Sequence, residues 1–235
     1  MAFPVYNRPR YLTRVLDAWS RVRGVADALL VFCCEPGCDE AVELCRRAEF
    51  AERAVLLNPE RLGHGANTMR SMALAYTLTD YAIAATDDFL PSSDLLELHG
   101  WHRALYADDT TVLGLRSGTD RAHDGGLGAI WRTQLVGALT GFHRHKWAEL
   151  AASWPGCDNW WMWADAVWGI TAGLDVLAPA ISRAEDIGEV GANPLPEPWA
   201  VMQARSSFVA DVPRTDYHEV RHARERGFER RVEAR

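Results

Sequence analysis

Apolar runs of strand length alternate with amphipathic helical patterns through the first half of this 235-residue chain. Between the runs, apolar residues recur at intervals of three and four, as they do over 12–19. The runs lie at residues 3–6, 28–33, 54–57, 81–85 and 111–115. Wholly apolar strands separated by helices are typical of a mainly parallel sheet covered by helices on both faces. The sequence therefore predicts a three-layer α/β/α fold.

Composition argues against two kinds of partner. The formal net charge of −7 is opposite in sign to the basic surface needed by a protein that coats bare nucleic acid. No apolar stretch approaches the roughly 20 residues of a membrane-spanning helix, and residues 1–8 lack the features of a signal peptide. Five cysteines, an odd number, are typical of reduced thiols. We expect a cytoplasmic protein with no membrane partner.

The second half of the chain departs from the β–α alternation. Residues 118–128 form a polar, glycine-rich stretch, and residues 154–168 carry five of the ten tryptophans. Three prolines over 193–198 predict the end of the compact fold. We therefore expect one domain over 1–195, followed over 196–235 by a proline-rich connector and an arginine-rich helix or tail.

Polar residues follow three of the predicted strands. Arg8 comes after the first strand, Glu35 after the second, and Asp87 and Asp88 after the fourth. Sheets of this kind bind ligands at the carboxyl ends of their strands. The sequence therefore predicts a binding site along that edge of the sheet.

Asp87 and Asp88 are the strongest candidates for chemistry. One or two carboxylates, together with phosphate oxygens, are typical ligands of Mg²⁺, and a bound divalent ion neutralises a departing diphosphate. An acidic pair can also cap a helix or lie in a solvated loop. Because this pair ends an apolar strand, we favour a site for Mn²⁺ or Mg²⁺ over a cap.

These motifs resemble those of the GT-A glycosyltransferases. FPVYNRPRYLTRVLDAW, at 3–19, resembles the opening strand and helix of the family-2 enzymes. GHGANTMRSMALAY, at 63–76, resembles their loop and helix near the ribose and diphosphate. TDDF, at 86–89, is similar to the DxD-like metal motif, although Thr86 replaces its leading acid.

Later segments are similar to N-acetylglucosaminyltransferase I. They are WAELAASWPGCDNWWMW, at 147–163, and APAISRAEDIGEVG, at 178–191. Overall, the resemblance covers roughly residues 3–191. It implies the GT-A (Rossmann-like) form of the α/β/α fold, with a mixed but mainly parallel sheet, and a nucleotide-sugar- and acceptor-binding domain over 1–195.

The resemblance also implies a role for individual residues. Asp88 stands in the place of the metal ligand. Asp158 is the expected general base, because Asn159 occupies the place of the family's second aspartate and an amide cannot take a proton at neutral pH. Asp165 is the reserve candidate, and which of these three lies at the base position stays open.

Further residues are expected to bind the two substrates, although each has a simpler structural explanation. Glu35 could be a turn residue, Asn67 a helix cap, and Arg183 the partner of a nearby carboxylate, while tryptophans more often belong to a core. The expected nucleotide-sugar contacts are Tyr6, Arg8, Glu35, Asn67, Arg70, Asp87 and Arg183. The expected acceptor contacts are Trp160 and Trp161.

The expected reaction is sugar transfer from a nucleotide-sugar to an acceptor hydroxyl with inversion at the anomeric carbon. A UDP-sugar is the expected donor, and the acceptor could be a protein, a glycan, a small molecule or a modified DNA base. A nucleotidyltransferase also needs an acidic pair and a metal at a sheet edge. A non-catalytic GT-A-like domain that binds glycan or nucleic acid is the second alternative.

Overall fold

A computed structural model describes residues 1–119, 123–137, 139–189 and 207–224. The strands in these ranges are β1 (Ala2–Val5), β2 (Leu29–Cys34), β3 (Glu52–Leu57), β4 (Tyr81–Ala84), β5 (Phe89–Pro91), β6 (Val112–Leu115), β7 (Ala129–Thr133), β8 (Thr140–His143), β9 (Asp175–Pro179), β10 (Ala184–Asp186) and β11 (His218–Arg224). The helices are α1 (Pro9–Ser20), α2 (Asp39–Arg46), α3 (His64–Ala75), α4 (Leu95–Leu105), α5 (Arg144–Ser153) and α6 (Trp160–Ala164), which continues as a π-helix over Asp165–Thr171. The predicted proline-rich connector, at 193–198, lies outside the described residues.

Nine strands form one mixed sheet in the order β11-β7-β9-β6-β8-β4-β1-β2-β3. The four strands β4, β1, β2 and β3 are parallel, as the β–α alternation of the first half predicts. Strand β8 lies antiparallel between β4 and β6 and joins the two halves of the sheet. Strands β5 and β10 form a separate antiparallel pair. The predicted α/β fold with a mainly parallel mixed sheet is confirmed.

Successive residues of β1 point to opposite faces of the sheet and so belong to two different cores. Phe3 packs against Trp19 of α1 and Phe32 of β2, with ring centroids 5.8 and 5.0 Å apart. Ala2 belongs to the opposite core, together with Met72 of α3. These two cores hold helices on both sides of the sheet and so fix the position of β1 within it.

None of the helices in the described ranges combines the length and apolar character needed to cross a membrane.

The compact fold continues beyond residue 195, which corrects the predicted boundary. Val212 is fully buried, and its carbonyl accepts a hydrogen bond of 2.7 Å from Arg23. Strand β11, predicted as an arginine-rich helix or tail, pairs with β7 at the edge of the main sheet. Its charged pattern suits an edge strand, because Glu219 forms a salt bridge with Arg132 on β7.

Arg183 ties together parts of the chain that are far apart in sequence. Its side chain is fully buried, and its Nε donates to both carboxylate oxygens of Asp94, at 3.0 and 2.9 Å. Its terminal nitrogens donate to the carbonyls of Ile181 and Leu127, each at 2.6 Å. Tyr217, just before β11, donates to the same carboxylate at 2.8 Å. Arg183 is therefore an internal brace of the fold.

Replacing Arg183 by methionine should lower the free energy of unfolding by about 3–5 kcal/mol, because Asp94 would remain buried without its counter-charge. Chemical denaturation of purified protein measures this change. Arg103→Met is the matched control, since Arg103 pairs with Asp80 at the surface and its loss should cost about 1 kcal/mol or less. Equal losses in the two variants would contradict the role assigned to Arg183.

Candidate functional site

The acidic pair lies immediately beyond the carboxyl end of β4, as the sequence predicts. β4 continues beside β1 through Ala85, whose N–H donates to the carbonyl of Ala2 at 2.9 Å. The chain then turns, and Asp88 leads into β5. Asp87 is buried, whereas 16% of the Asp88 side chain is exposed. Asp88 is therefore the member of the pair that a ligand can reach.

Arg8 binds both members of the acidic pair. It lies between β1 and α1, directly before the proline that begins the helix. One terminal nitrogen of the guanidinium contacts Asp87, and the other lies 2.7 Å from Oδ2 of Asp88. This fork is the geometry in which arginine binds paired oxygens most effectively. Arg8 and the acidic pair thus join the ends of two neighbouring strands.

Asp186 is a third carboxylate at this edge, which the sequence analysis did not select. It ends β10, opposite Phe89 of β5, and the N–H of Ile187 donates to the carbonyl of Asp88 at 2.8 Å. A side chain at Gly188 would place its Cβ 2.8 Å from Oδ2 of Asp88 and 3.1 Å from Oδ1 of Asp186. Gly188 therefore leaves room for both carboxylates, and its N–H donates to Oδ1 of Asp186 at 2.7 Å.

Burial and like charge weaken the acidity of these carboxyls. Burial raises the pKa of Asp87 to about 6, although its contact with Arg8 opposes this change. Burial also raises the pKa of Asp186 to about 6, and the nearby charge of Asp88 adds to the effect. Burial lowers the pKa of Arg8, but Asp87 and Asp88 more than offset that and raise it overall. The cluster therefore gains from any further positive charge.

Residues 62–65, which span the end of the loop before α3 and the first two residues of that helix and are called loop 62–65 below, lie against the predicted base, Asp158. Gly63 has a φ of +86°, and a Cβ there would lie 2.7 Å from Oδ1 of Asp158. At Gly65 a Cβ would lie 2.2 Å from the carbonyl oxygen of Cys157. The N–H of Gly65 donates to Asp158 at 3.4 Å. Both glycines are therefore needed for close approach to another segment of the chain.

Glu35 and Asn67 hold this loop in place. The buried carboxylate of Glu35 accepts hydrogen bonds from the N–H groups of Leu62 and Gly63 at 2.9–3.2 Å. Asn67 is also buried and donates to the carbonyl of Cys33 at 2.9 Å. The side chains of both residues thus bind the protein itself. Their predicted contacts with a nucleotide remain predictions.

His64, between the two glycines, is influenced by the charges of both Asp88 and Asp158. Burial lowers the pKa of its imidazole, while the negative charges of Asp88 and Asp158 act in the opposite direction. Its ring lies edge-on to Trp161, with centroids 5.2 Å apart. A neutral imidazole therefore lies within electrostatic range of both carboxylates.

The other predicted contact residues differ in their exposure. Tyr6 is half-buried, and the guanidinium of Arg61 lies 4.5 Å from its ring centroid. Arg70 is exposed on α3. Asp165 accepts a hydrogen bond of 2.5 Å from the N–H of Val136, so one of its oxygens is engaged in the fold. Asp158 is exposed, whereas Asp165 is half-buried, and the choice of base remains a prediction.

Two of the predicted ligand contacts belong instead to the interior. Trp160 is 4% exposed and packs edge-on against Trp147, with ring centroids 5.6 Å apart. Arg183 is committed to Asp94, as described above, and is not paired with the carboxylates nearer to it in sequence. Neither side chain presents a surface to a ligand in this structure, so we leave both out of the candidate site. Trp161 is half-buried and remains available.

The donor set at the sheet edge suits a hard divalent cation. Asp88 and Asp186 offer carboxylate oxygens, which Mg²⁺ prefers over nitrogen or sulfur ligands. Within the described ranges, no three His, Cys, Asp or Glu side chains form a group that could hold a metal ion. A bound ion would therefore need further oxygens from water and from a phosphate-bearing ligand.

Comparisons with known proteins show the fold class. No protein-family model matches the chain, and no curated protein matches it. A crystal structure of Staphylococcus aureus TarS residues 1–349 in complex with UDP matches 78% of the chain, with a TM-score of 0.53 and 13% sequence identity. A structure of S. aureus TarS matches 80%, with a TM-score of 0.50 and 12% identity. These matches support a GT-A-like α/β fold.

The matches cover 58% of the first of these TarS chains and 37% of the second. This chain therefore corresponds to part of each. At 12–13% identity the likeness concerns the fold alone. The resemblance to N-acetylglucosaminyltransferase I receives no support from these comparisons and remains a prediction.

Gly65→Ala should disrupt the site, because the added methyl group would meet the Cys157 carbonyl and push the Asp158 segment away from the loop. We expect a loss of about 1–3 kcal/mol in unfolding free energy, typical of overpacking, together with reduced binding of any ligand that contacts both segments. Differential scanning fluorimetry checks the stability. Gly100→Ala in α4 is the control, since nothing lies within 4 Å of its added Cβ. A Gly65 variant as stable as this control would refute the close approach.

Proposed function

We propose that this chain is a metal-dependent glycosyltransferase that transfers a sugar from a nucleotide-sugar, with UDP-sugar as the expected donor, to an acceptor hydroxyl. The observation that carries the proposal is the cluster of Arg8, Asp87, Asp88 and Asp186 at the carboxyl ends of β1 and β4. Ligand sites of α/β sheets lie at this edge. The fold shared with TarS, which was crystallised with UDP, supports a nucleotide as the ligand.

Asp88 and Asp186 would hold a divalent cation, and Mn²⁺ or Mg²⁺ suits their oxygens. When bound there, the ion supplies Lewis-acid stabilisation of the diphosphate leaving group. Asp87 is buried behind Asp88 and fixes Arg8, which lies partly exposed next to the same oxygens. Arg8 is therefore positioned to contact phosphate oxygens, for which a guanidinium fork is well suited.

Asp158 is the proposed general base that removes the acceptor's proton. It lies beside loop 62–65 and is exposed, so an acceptor could reach it. Trp161, whose ring lies 5.2 Å from that of His64 in the same loop, is the proposed contact for the sugar ring. Direct attack on the anomeric carbon from the side opposite the diphosphate would invert its configuration, which proton NMR of the product would reveal.

The proposal predicts UDP release from one or more UDP-sugars in the presence of Mn²⁺, measured with a panel of donors and acceptors. Asp88→Asn should lower this rate by about 100-fold or more, because a preorganised electrostatic contact to the leaving group is lost. Asp186→Asn should lower it in the same direction. Asp17→Asn, which changes an exposed carboxylate on α1, is the control and should leave the rate unchanged.

The identity of the released product separates this function from its nearest alternative. Release of pyrophosphate from a nucleoside triphosphate would indicate a nucleotidyltransferase. Binding of UDP without turnover of any donor would favour a non-catalytic binding domain. Either result would contradict the proposed transfer reaction.

A further inference from the structure

Arg8 contacts the carboxylate to which the proposed function assigns the metal ion. Nη1 of Arg8 lies 2.7 Å from Oδ2 of Asp88. A Cβ at Gly188 would lie 2.8 Å from the same Oδ2 and 3.1 Å from Oδ1 of Asp186, which accepts a hydrogen bond of 2.7 Å from the Gly188 N–H. A cation shared between Asp88 and Asp186 would therefore lie close to the guanidinium.

The negative charge around Asp88 favours replacement of the Arg8 guanidinium there by a divalent cation. The guanidinium of Arg8 contacts Asp87 and Asp88, and Asp186 lies within electrostatic range of both Arg8 and Asp88. Two like charges at close range repel each other most strongly where protein shields them from water. A divalent ion at Asp88 would therefore weaken the hold of Arg8 on Oδ2, while the buried Asp87 keeps its own contact with Arg8.

We propose that Arg8 is a resident counter-ion of the metal site, which a divalent metal must displace from Asp88 in order to bind. This inference rests on the proposed function only in taking Asp88 as a metal ligand. Arg8 then sets the affinity of the free protein for metal. Displacement also leaves one end of its guanidinium available for an anionic group, so metal and a diphosphate should each strengthen the binding of the other.

The test is isothermal titration calorimetry of MnCl₂ into the full-length protein without nucleotide. Arg8→Gln removes the competing charge, so its dissociation constant for Mn²⁺ should be lower than that of the wild-type protein by about tenfold or more. Arg10→Gln is the matched control, because it removes one positive charge from an exposed position two residues away. It should change the constant by less than about twofold, since exposed charges are screened.

Two further variants keep the test informative. Arg8→Lys retains a charge and the stability that it gives Asp87, but an ammonium cannot hold two carboxylates with a fork. Its affinity for Mn²⁺ should lie between those of the wild-type protein and Arg8→Gln. Adding Asp88→Asn to Arg8→Gln should abolish the gain in affinity for Mn²⁺, because the carboxylate that binds both Arg8 and the metal is lost.

An unchanged or weaker affinity for Mn²⁺ in both Arg8 variants would overturn the inference, as would absence of Mn²⁺ binding in all of the proteins. Titration of UDP in the presence and absence of Mn²⁺ separates this outcome from failure of the proposed function. If Arg8→Gln binds Mn²⁺ more tightly but no protein binds UDP, the inference stands and the nucleotide-sugar assignment falls. If the wild-type protein releases UDP from a donor but the Arg8 variants bind Mn²⁺ with unchanged affinity, the nucleotide-sugar assignment stands and the inference falls.

Discussion

The contact of Arg8 with Asp87 and Asp88 is the interaction on which the site depends. It joins the end of β1 to the end of β4, two adjacent parallel strands of the central sheet. Without the guanidinium, Asp87 would be a buried carboxylate lacking a counter-charge, which is among the costliest arrangements in a protein interior. The ion pair therefore allows negative charge to collect at a sheet edge where a phosphate-bearing ligand and its cation could bind.

A second constraint acts through glycine. Gly188 leaves room for two carboxylates, while Gly63 and Gly65 allow loop 62–65 to lie directly against the Asp158 segment. Glu35 fixes that loop by accepting hydrogen bonds from its N–H groups. The acidic edge and the candidate base come from segments far apart in sequence, so their proximity depends on these close approaches. The site is thus a product of packing as much as of its charged residues.

The sequence predicts the parallel half of the sheet and the position of Asp88, because apolar strand-length runs and the polar residues after them are local signals. The sequence does not indicate Asp186, because its position beside Asp88 depends on β10 pairing with β5, a contact between distant parts of the chain. Trp160 and Arg183 are expected to contact ligands on sequence grounds, because the sequence alone does not distinguish an exposed tryptophan or arginine from a buried one. The charged β11 shows no apolar alternation, so its place in the sheet follows only from pairing with β7.

The most direct test of the central claim is an anomalous difference map from a crystal of this protein grown with MnCl₂ and UDP. We expect one manganese peak about 2.0–2.6 Å from a carboxylate oxygen of Asp88, with UDP phosphate oxygens completing its coordination. The nucleotide should lie along the carboxyl ends of β1 and β4. A nucleotide bound elsewhere, or a manganese ion that leaves Asp88 untouched, would contradict it.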